Sequence, residues 1–262
     1  MKKLLSVLLS IIIISSVSGC SSSDSSPFEK KVDYKKIAKD LNEKNMDSIL
    51  HAVDGYSNIK LRSFIITSQK RNDNSIINNK NKIGFDGVYN TVKNNAVGVG
   101  GTSSETSIKK GTGEEKTIKK NSSPNFKVSY SNNQFINEKT KKPLDLIFIF
   151  DKLQGIEKIK PASYTYGLDE PPAIAYSLNE KQFKEIINDE LKINYDSFKK
   201  ATILISLHEI KNKMKIFYII IEIEWQKKNR NGQVVNYFMN NSIYLDSNNL
   251  HAKNEYQKLK NS

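Results

Sequence analysis

Lys215-Ile216-Phe217-Tyr218-Ile219-Ile220-Ile221-Glu222-Ile223-Glu224-Trp225 is the stretch that decides the fold. Read with a period of two, Ile219, Ile221, Ile223 and Trp225 share one face, and Tyr218, Ile220, Glu222 and Glu224 share the other. One side is apolar throughout and the second is mixed, the signature of a strand with one face on a core. Ala201–Leu207 before it and Val234–Leu245 after it carry the same signal, and Asn231-Gly232 marks a turn between the last two strands.

Working outward, Asn179 predicts an N-cap for a helix to about Leu191, with Phe183, Ile186, Ile187 and Leu191 as its apolar face. Tyr164-Thr165-Tyr166 and Ala173–Leu178 read as strands around the Pro171-Pro172 break. Pro143 predicts the first position of a further helix, with Leu144, Ile147, Phe148 and Phe150–Leu153 apolar and Gly155 closing it. Before that lies a meander: Ile59 to Thr67, then Lys82–Tyr89, Ala96–Val99, Ser107–Lys119, Phe126–Tyr130 and Gln134–Ile136. The Gly-, Ser- and Thr-rich segment 98–115 reads as a mobile hairpin or loop. Ile37, Leu41, Ile49, Leu50 and Val53 recur at helical spacing, predicting an amphipathic helix broken near Asn45 and stopped by Asp54-Gly55. The polar stretch from Asn248 onward predicts a short helix or a frayed tail.

Strands that follow one another without crossover helices imply an antiparallel sheet, so the class is α+β. The expected architecture is a curved antiparallel sheet with about three helices on one face. The order of Leu144–Leu153, Tyr176-Ser177-Leu178 before a helix, and the final pair of long strands resembles the LolA/LppX-like lipoprotein fold, an open barrel closed by helices. Unrelated α+β sandwiches and cystatin-like domains share that element order.

The chain has 262 residues, 41 Lys and Arg against 28 Asp and Glu, and a formal charge of +13. Its 37% hydrophobic and 26% charged residues fit an ordered globular protein, not a multi-span membrane protein. A single Cys excludes an internal disulfide framework and a thiolate metal cluster. Its three His, at 51, 208 and 251, are too scattered for an all-histidine zinc site.

That Cys stands at a telling place. Lys2 and Lys3 precede an apolar run from Leu4 to Val17, too short to span a bilayer, which reads as a secretory signal. The run ends in Val17-Ser18-Gly19-Cys20, an aliphatic residue, two small residues and a cysteine, and resembles the lipobox of bacterial lipoproteins. The resemblance implies a diacylglycerol on the Cys20 thiol, cleavage between Gly19 and Cys20, and anchoring by acyl chains such as palmitate. Two or three chains, at about 0.8 kcal/mol per buried methylene, make such an anchor nearly irreversible. The expected organisation is a signal over 1–19, a flexible Ser-rich tether over 20–29 and one α+β domain over 30–262. The expected address is the outer face of the bacterial cell membrane. Heavy use of Lys, Asn and Ile fits an AT-rich genome and a Gram-positive lipoprotein.

Chemistry is sparse. Ser107-Ile108-Lys109-Lys110 and Ser197-Phe198-Lys199-Lys200 match the S-x-x-K spacing of penicillin-recognising enzymes without their companion motifs. Gly98 to Ser103 lacks the G-K-[ST] of a phosphate loop, and Asp246-Ser247-Asn248-Asn249 lacks the sixth-position Gly of a calcium loop. Glu222 and Glu224 read as the solvent side of a strand, and His208 beside Glu209 has no evident catalytic partner. No nucleophile, base and orienting group assemble, so the expectation is no enzyme, no catalytic residue, no metal and no cofactor. The Lys-Lys pairs, dispersed along the sequence, favour anionic lipid or cell-wall polymer as partners, or simply solubility, and not nucleic acid.

Two functions follow as expectations. The first is a lipid-anchored module that binds or carries an apolar or lipid ligand on the apolar face of its sheet. The second is a structural or protein-interaction module of the envelope, whose apolar face is filled by its own helices.

Overall fold

The computed structural model describes residues 33–165, 171–210, 213–246 and 250–261. Gly19, Cys20, the leader and the Ser-rich tether lie outside the described residues, as do Tyr166 and positions 247–249.

The chain opens with α1 (Tyr34–Glu43) and α2 (Met46–Leu50), followed by β1 (Tyr56–Lys70), β2 (Ser75–Asn90), β3 (Asn95–Lys110), β4 (Glu115–Ser122), β5 (Phe126–Ser131) and β6 (Gln134–Asn137). Two 3₁₀ turns, Ile149–Lys152 and Ile156–Lys158, lead to β7 (Ser163–Thr165) and β8 (Ala173–Leu178). Next come α3 (Glu180–Phe183), a π turn over Lys184–Asn188, and α4 (Asp189–Leu191). Strands β9 (Ser197–Ile210), β10 (Lys213–Lys228) and β11 (Val234–Asp246) precede α5 (Ala252–Asn261).

The strands form one open antiparallel sheet in the order β6-β5-β3-β2-β1-β11-β10-β9-β8-β7, with β4 beside β3. The protein is α+β, as its hydrophobic periods predict. Two meanders, one from each half of the chain, meet where β1 pairs with β11 from Asn58–Asp246 to Gln69–Val235.

Local chemistry explains the element ends. Lys44 takes a left-handed conformation and ends α1, and Asn45 accepts a hydrogen bond from the Ser48 amide to start α2. The break near Asn45 is therefore a C-cap followed by an N-cap. Asn179 caps α3 with a full capping box, its side chain taking the Gln182 amide while Gln182 accepts from the Asn179 amide. In the β10–β11 turn the Asn229 side chain accepts from the Asn231 and Gln233 amides, and Gly232 supplies a φ of +76°.

The core lies on the face predicted from β10. Ile219, Ile221 and Ile223 are at most 2% exposed, and they join Ile203, Ile205, Ile243, Ile59 and Leu61 beneath Leu41, Ile49, Leu50, Phe183 and Ile187. Each such side chain contributes about 1.5–3 kcal/mol by leaving water. An ion pair ties this layer together. Lys44 Nζ stands 3.2 Å from Asp151 Oδ1, and the Tyr130 hydroxyl donates to Asp151 Oδ2 at 2.7 Å.

Two sequence expectations need correction, and the structure decides a third between its alternatives. Pro143 does not open a helix: it bridges to Ile136, and helical geometry is confined to the two 3₁₀ turns. Its apolar residues instead build an aromatic cluster, in which Phe148 meets Tyr89, Tyr130, Phe135 and Phe150 at centroid distances of 4.7–6.2 Å. Of the two forms expected for segment 98–115, it is the hairpin and not a loop: all but residues 111–114 belong to the paired strands β3 and β4. The short pieces of the first meander are likewise long strands, β2 and β3 having 16 residues each.

The glycines of β3 serve close approach. Gly98 lies opposite Gly87, and a Cβ on Gly98 would sit 2.2 Å from the Asp86 carbonyl oxygen and 2.8 Å from the Phe85 ring. The buried ring of Phe85 covers both glycines, as an aromatic shields a strand glycine elsewhere.

The helical segments α1 to α4 belong to the core side, while α5 packs on the other face. Its Ala252 and Tyr256 meet Val88, Val97 and Tyr56.

Candidate functional site

The outer face of the sheet carries the site. Helix α5 is fixed there by three interactions: the Tyr256 hydroxyl donates to Asn95 Oδ1 at 2.8 Å, Tyr56 and Tyr256 meet at 5.2 Å between ring centroids, and Asn58 Nδ2 donates to Glu255 Oε2 at 3.0 Å. Burial pushes the Tyr256 hydroxyl pKa upward, with Tyr56 adding to the shift. The helix packs on β1, β2 and β3, and Lys127 of β5 donates to its Lys260 carbonyl at 3.3 Å.

Between its flank and those strands lies a groove of about 740 Å³. Such a volume suits a drug-sized or lipid-sized molecule. Leu259 and Glu255 form the helix side, β1 and β11 form the floor, and the aromatic residues of β10 and β11 form the far wall. A β-bulge at Ile216/Tyr218 shapes that wall by inserting Phe217 as an extra residue. Phe217 is 46% exposed and its ring lies 5.6 Å from Tyr218 and 6.5 Å from Tyr244. His208 stands against it at 6.3 Å. Val99 and Tyr244, at 42% and 38% exposure, also line the groove, so three exposed apolar side chains meet here.

Charged groups complete the lining. Lys60 and Lys215 contribute ammonium groups, and Asp86 is neutralised by Arg62, whose Nη1 lies 2.7 Å from Asp86 Oδ1. The His51 imidazole is held down to about 4 by burial, with Lys215 and Lys36 adding to the shift, so it is neutral beside Lys215 at physiological pH. Among the described residues no three of His, Cys, Asp and Glu converge as metal ligands would.

The structure separates the other sequence candidates. The Ser107 hydroxyl donates to Glu115, and three-residue spacing on a strand puts Lys110 on the opposite face from it. Ser197 and Lys200 are likewise on a strand, β9. Gly98 to Ser103 lie within β3, where the ladder, and for the Thr102 amide the Ser123 hydroxyl, occupy the backbone, which cannot cradle a phosphate. Glu222 and Glu224 share the outer face of β10, where Glu222 accepts from Asn240 at 3.0 Å. Of the candidates, His208, Asp246 and Val99 of the Gly98–Ser103 stretch reach the groove. Sequence reading missed Phe217 and Tyr244 as a wall, because a bulge changes which face a residue serves without changing composition.

The space beneath the core-side helices is filled by the buried isoleucines, leucines and phenylalanines named above. The carrier expectation placed a ligand on this apolar face, where a cleft of about 310 Å³ opens beside α4, lined by Ile65, Ile147, Leu191, Trp225 and Met239.

A family model described as a domain of unknown function, DUF3952, matches residues 15–123, less than half of the chain. The match runs through α1 to β4, so it includes the β1–β3 part of the groove and stops before the aromatic wall. No curated protein matches the chain.

Proposed function

We propose that this chain is a lipid-anchored protein of the bacterial envelope that holds an amphipathic ligand in the groove beside α5. The observation that carries this reading is the exposed rings of Phe217 and Tyr244, backed by the half-buried ring of Tyr218, lining a groove of about 740 Å³. Aromatic rings left in water cost free energy that an apolar chain laid on them recovers. The cations and carboxylates around the rings give a polar end its contacts. The ligand belongs to the class of acyl lipids and comparable amphipathic molecules.

Native mass spectrometry of the chain from Ser21 to Ser262, with lipid extraction, tests the ligand. All described elements lie within that span. Near-stoichiometric co-purifying lipid is expected. Phe217→Asp should lower its affinity at least about tenfold, the lower end of what a buried aromatic contributes. A clean apo mass that takes up no fluorescent fatty acid at micromolar concentration would sink the ligand reading.

The anchor rests on the Val17-Ser18-Gly19-Cys20 motif. Cells fed labelled palmitate should yield a labelled protein, and Cys20→Ser should abolish the label and release the chain from membranes. Label retained in that variant would refute the anchor.

A second reading is favoured by the filled core: an interaction module of the envelope that holds no small molecule. It predicts the apo mass.

A further inference from the structure

Three of the Lys-Lys pairs that are dispersed in sequence, 109–110, 119–120 and 227–228, lie on hairpins that turn at one end of the sheet. Hairpins β1–β2, β3–β4 and β10–β11 run past the core and turn at the same end of the sheet, as their last pairs Lys70–Ile76, Lys109–Glu115 and Lys228–Val234 show. Segments 67–82, 103–122 and 226–236 hold twelve Lys and Arg against four Asp and Glu, a surplus of eight in a chain whose total is +13. Among the described residues no ion pair involves a cation of these segments. Three of the four carboxylates are engaged by neutral donors instead. Glu115 accepts from Asn78 and Ser107, Glu105 from Thr117, and Asp73 from Ser75.

The apolar residues at this end are as telling as the charge. Ile76, Ile118 and Val234 are 38%, 56% and 46% exposed. In the terminal row, Lys228 pairs with Val234, Lys70 with Ile76, and Ile76 with Lys109, so cations alternate with aliphatic side chains. The row crosses six strands, about 24 Å at ~4.8 Å per strand, which is several lipid headgroups wide.

From this juxtaposition we infer that the three hairpin ends form a docking surface for an anionic phospholipid bilayer. The lysines meet headgroup phosphates while Ile76, Ile118 and Val234 enter the interface. A dissolved polyanion would satisfy the lysines but offers no apolar phase to the aliphatic residues, so the bilayer is the better complement. The contact needs neither the Cys20 anchor nor an occupied groove. It would set the end of the sheet against the membrane and so fix the orientation of a domain on a loose tether.

The test is co-sedimentation of the unlipidated Ser21–Ser262 chain with vesicles of phosphatidylcholine alone, or with about one-third phosphatidylglycerol added. Binding is expected only to the anionic vesicles, and should weaken as salt rises. Lys109→Glu, Lys110→Glu and Lys228→Glu combined should reduce it by roughly 100-fold or more, since each lysine near an anionic surface is worth about 5-fold. These side chains are exposed, so far-UV circular dichroism should not change. Ile76→Ser with Val234→Ser should weaken vesicle binding several-fold and leave binding to soluble polyphosphate untouched. Equal binding to phosphatidylcholine alone, no binding to anionic vesicles, or full vesicle binding by either variant set would overturn the inference. Loss of vesicle binding with co-purifying lipid retained would separate its failure from that of the groove.

Discussion

Gly98→Val is expected to destabilise the protein by about 3 kcal/mol or more, the upper range for forcing extra carbon into a packed interior. The reason is geometric. A Cβ at position 98 would stand 2.2 Å from the Asp86 carbonyl oxygen and 2.6 Å from the Gly87 Cα, both backbone atoms of the paired strand. Backbone cannot rotate aside as a side chain would. β2 and β3 must separate, and the Phe85 ring, wholly buried over the two glycines, must leave its seat. For a chain of this size that loss should lower Tm by roughly 6–12 °C. Gly101→Ala is the control. Its nearest neighbour would be the Asn125 side chain at 3.3 Å, which can move, so a change within about 0.5 kcal/mol is expected. Thermal unfolding followed by circular dichroism decides the matter, and an unchanged Tm for Gly98→Val would remove the close-approach argument.

The second large effect is Phe148→Ala. Phe148 is 3% exposed and stacks on Tyr89 at 5.3 Å with 18° between the ring planes. It also meets Tyr130 at 4.7 Å and lies edge-on to Phe135 and Phe150. Removing it leaves a cavity that four rings line. Large-to-small aromatic substitutions in such sites cost about 3–5 kcal/mol, and ring pairs add about 0.5–1.5 kcal/mol each beyond their area. A guanidinium unfolding curve should show a lower midpoint at unchanged slope. A shift worth under about 1 kcal/mol would mean that the irregular segment 144–153 can collapse into the space.

This residue also shows how far the sequence could be read. Leu144, Ile147 and Phe148 follow the spacing of a helix face after a helix-starting proline, and the local pattern is sound as far as it goes. What it cannot contain is the set of rings contributed by β2, β5 and β6, which hold Phe148 in a segment that never completes an α-helical turn. Tertiary packing overrides propensity there. The glycines failed for a related reason: Gly98 signals flexibility only while its partner Gly87, eleven residues away, is unseen. Where a decision was local, the reading held. Asn45 and Asn179 announce their caps through side chains that reach only three residues forward.

The groove and the hairpin end lay further from view. His208, Phe217, Tyr244 and Leu259 come from three strands and a helix, and a single bulge puts the Phe217 ring beside the others. The lysines of β1 to β4 and Lys227 and Lys228 of β10 are over a hundred positions apart in sequence, yet pairing of β1 with β11 brings their turns to one line.

By itself, then, the sequence determined the class, an antiparallel α+β fold, and which face of β10 is buried, because side-chain alternation and helix caps act over a few residues. It also carries the lipobox-like motif on which the proposed anchor rests. The tertiary structure alone decided that helices α1 to α4 cover the core side, that a larger groove opens on the other face beside α5, and that charge collects at one end. Each of those depends on which strands become neighbours, and strand pairing is a contest among distant segments that no local period records.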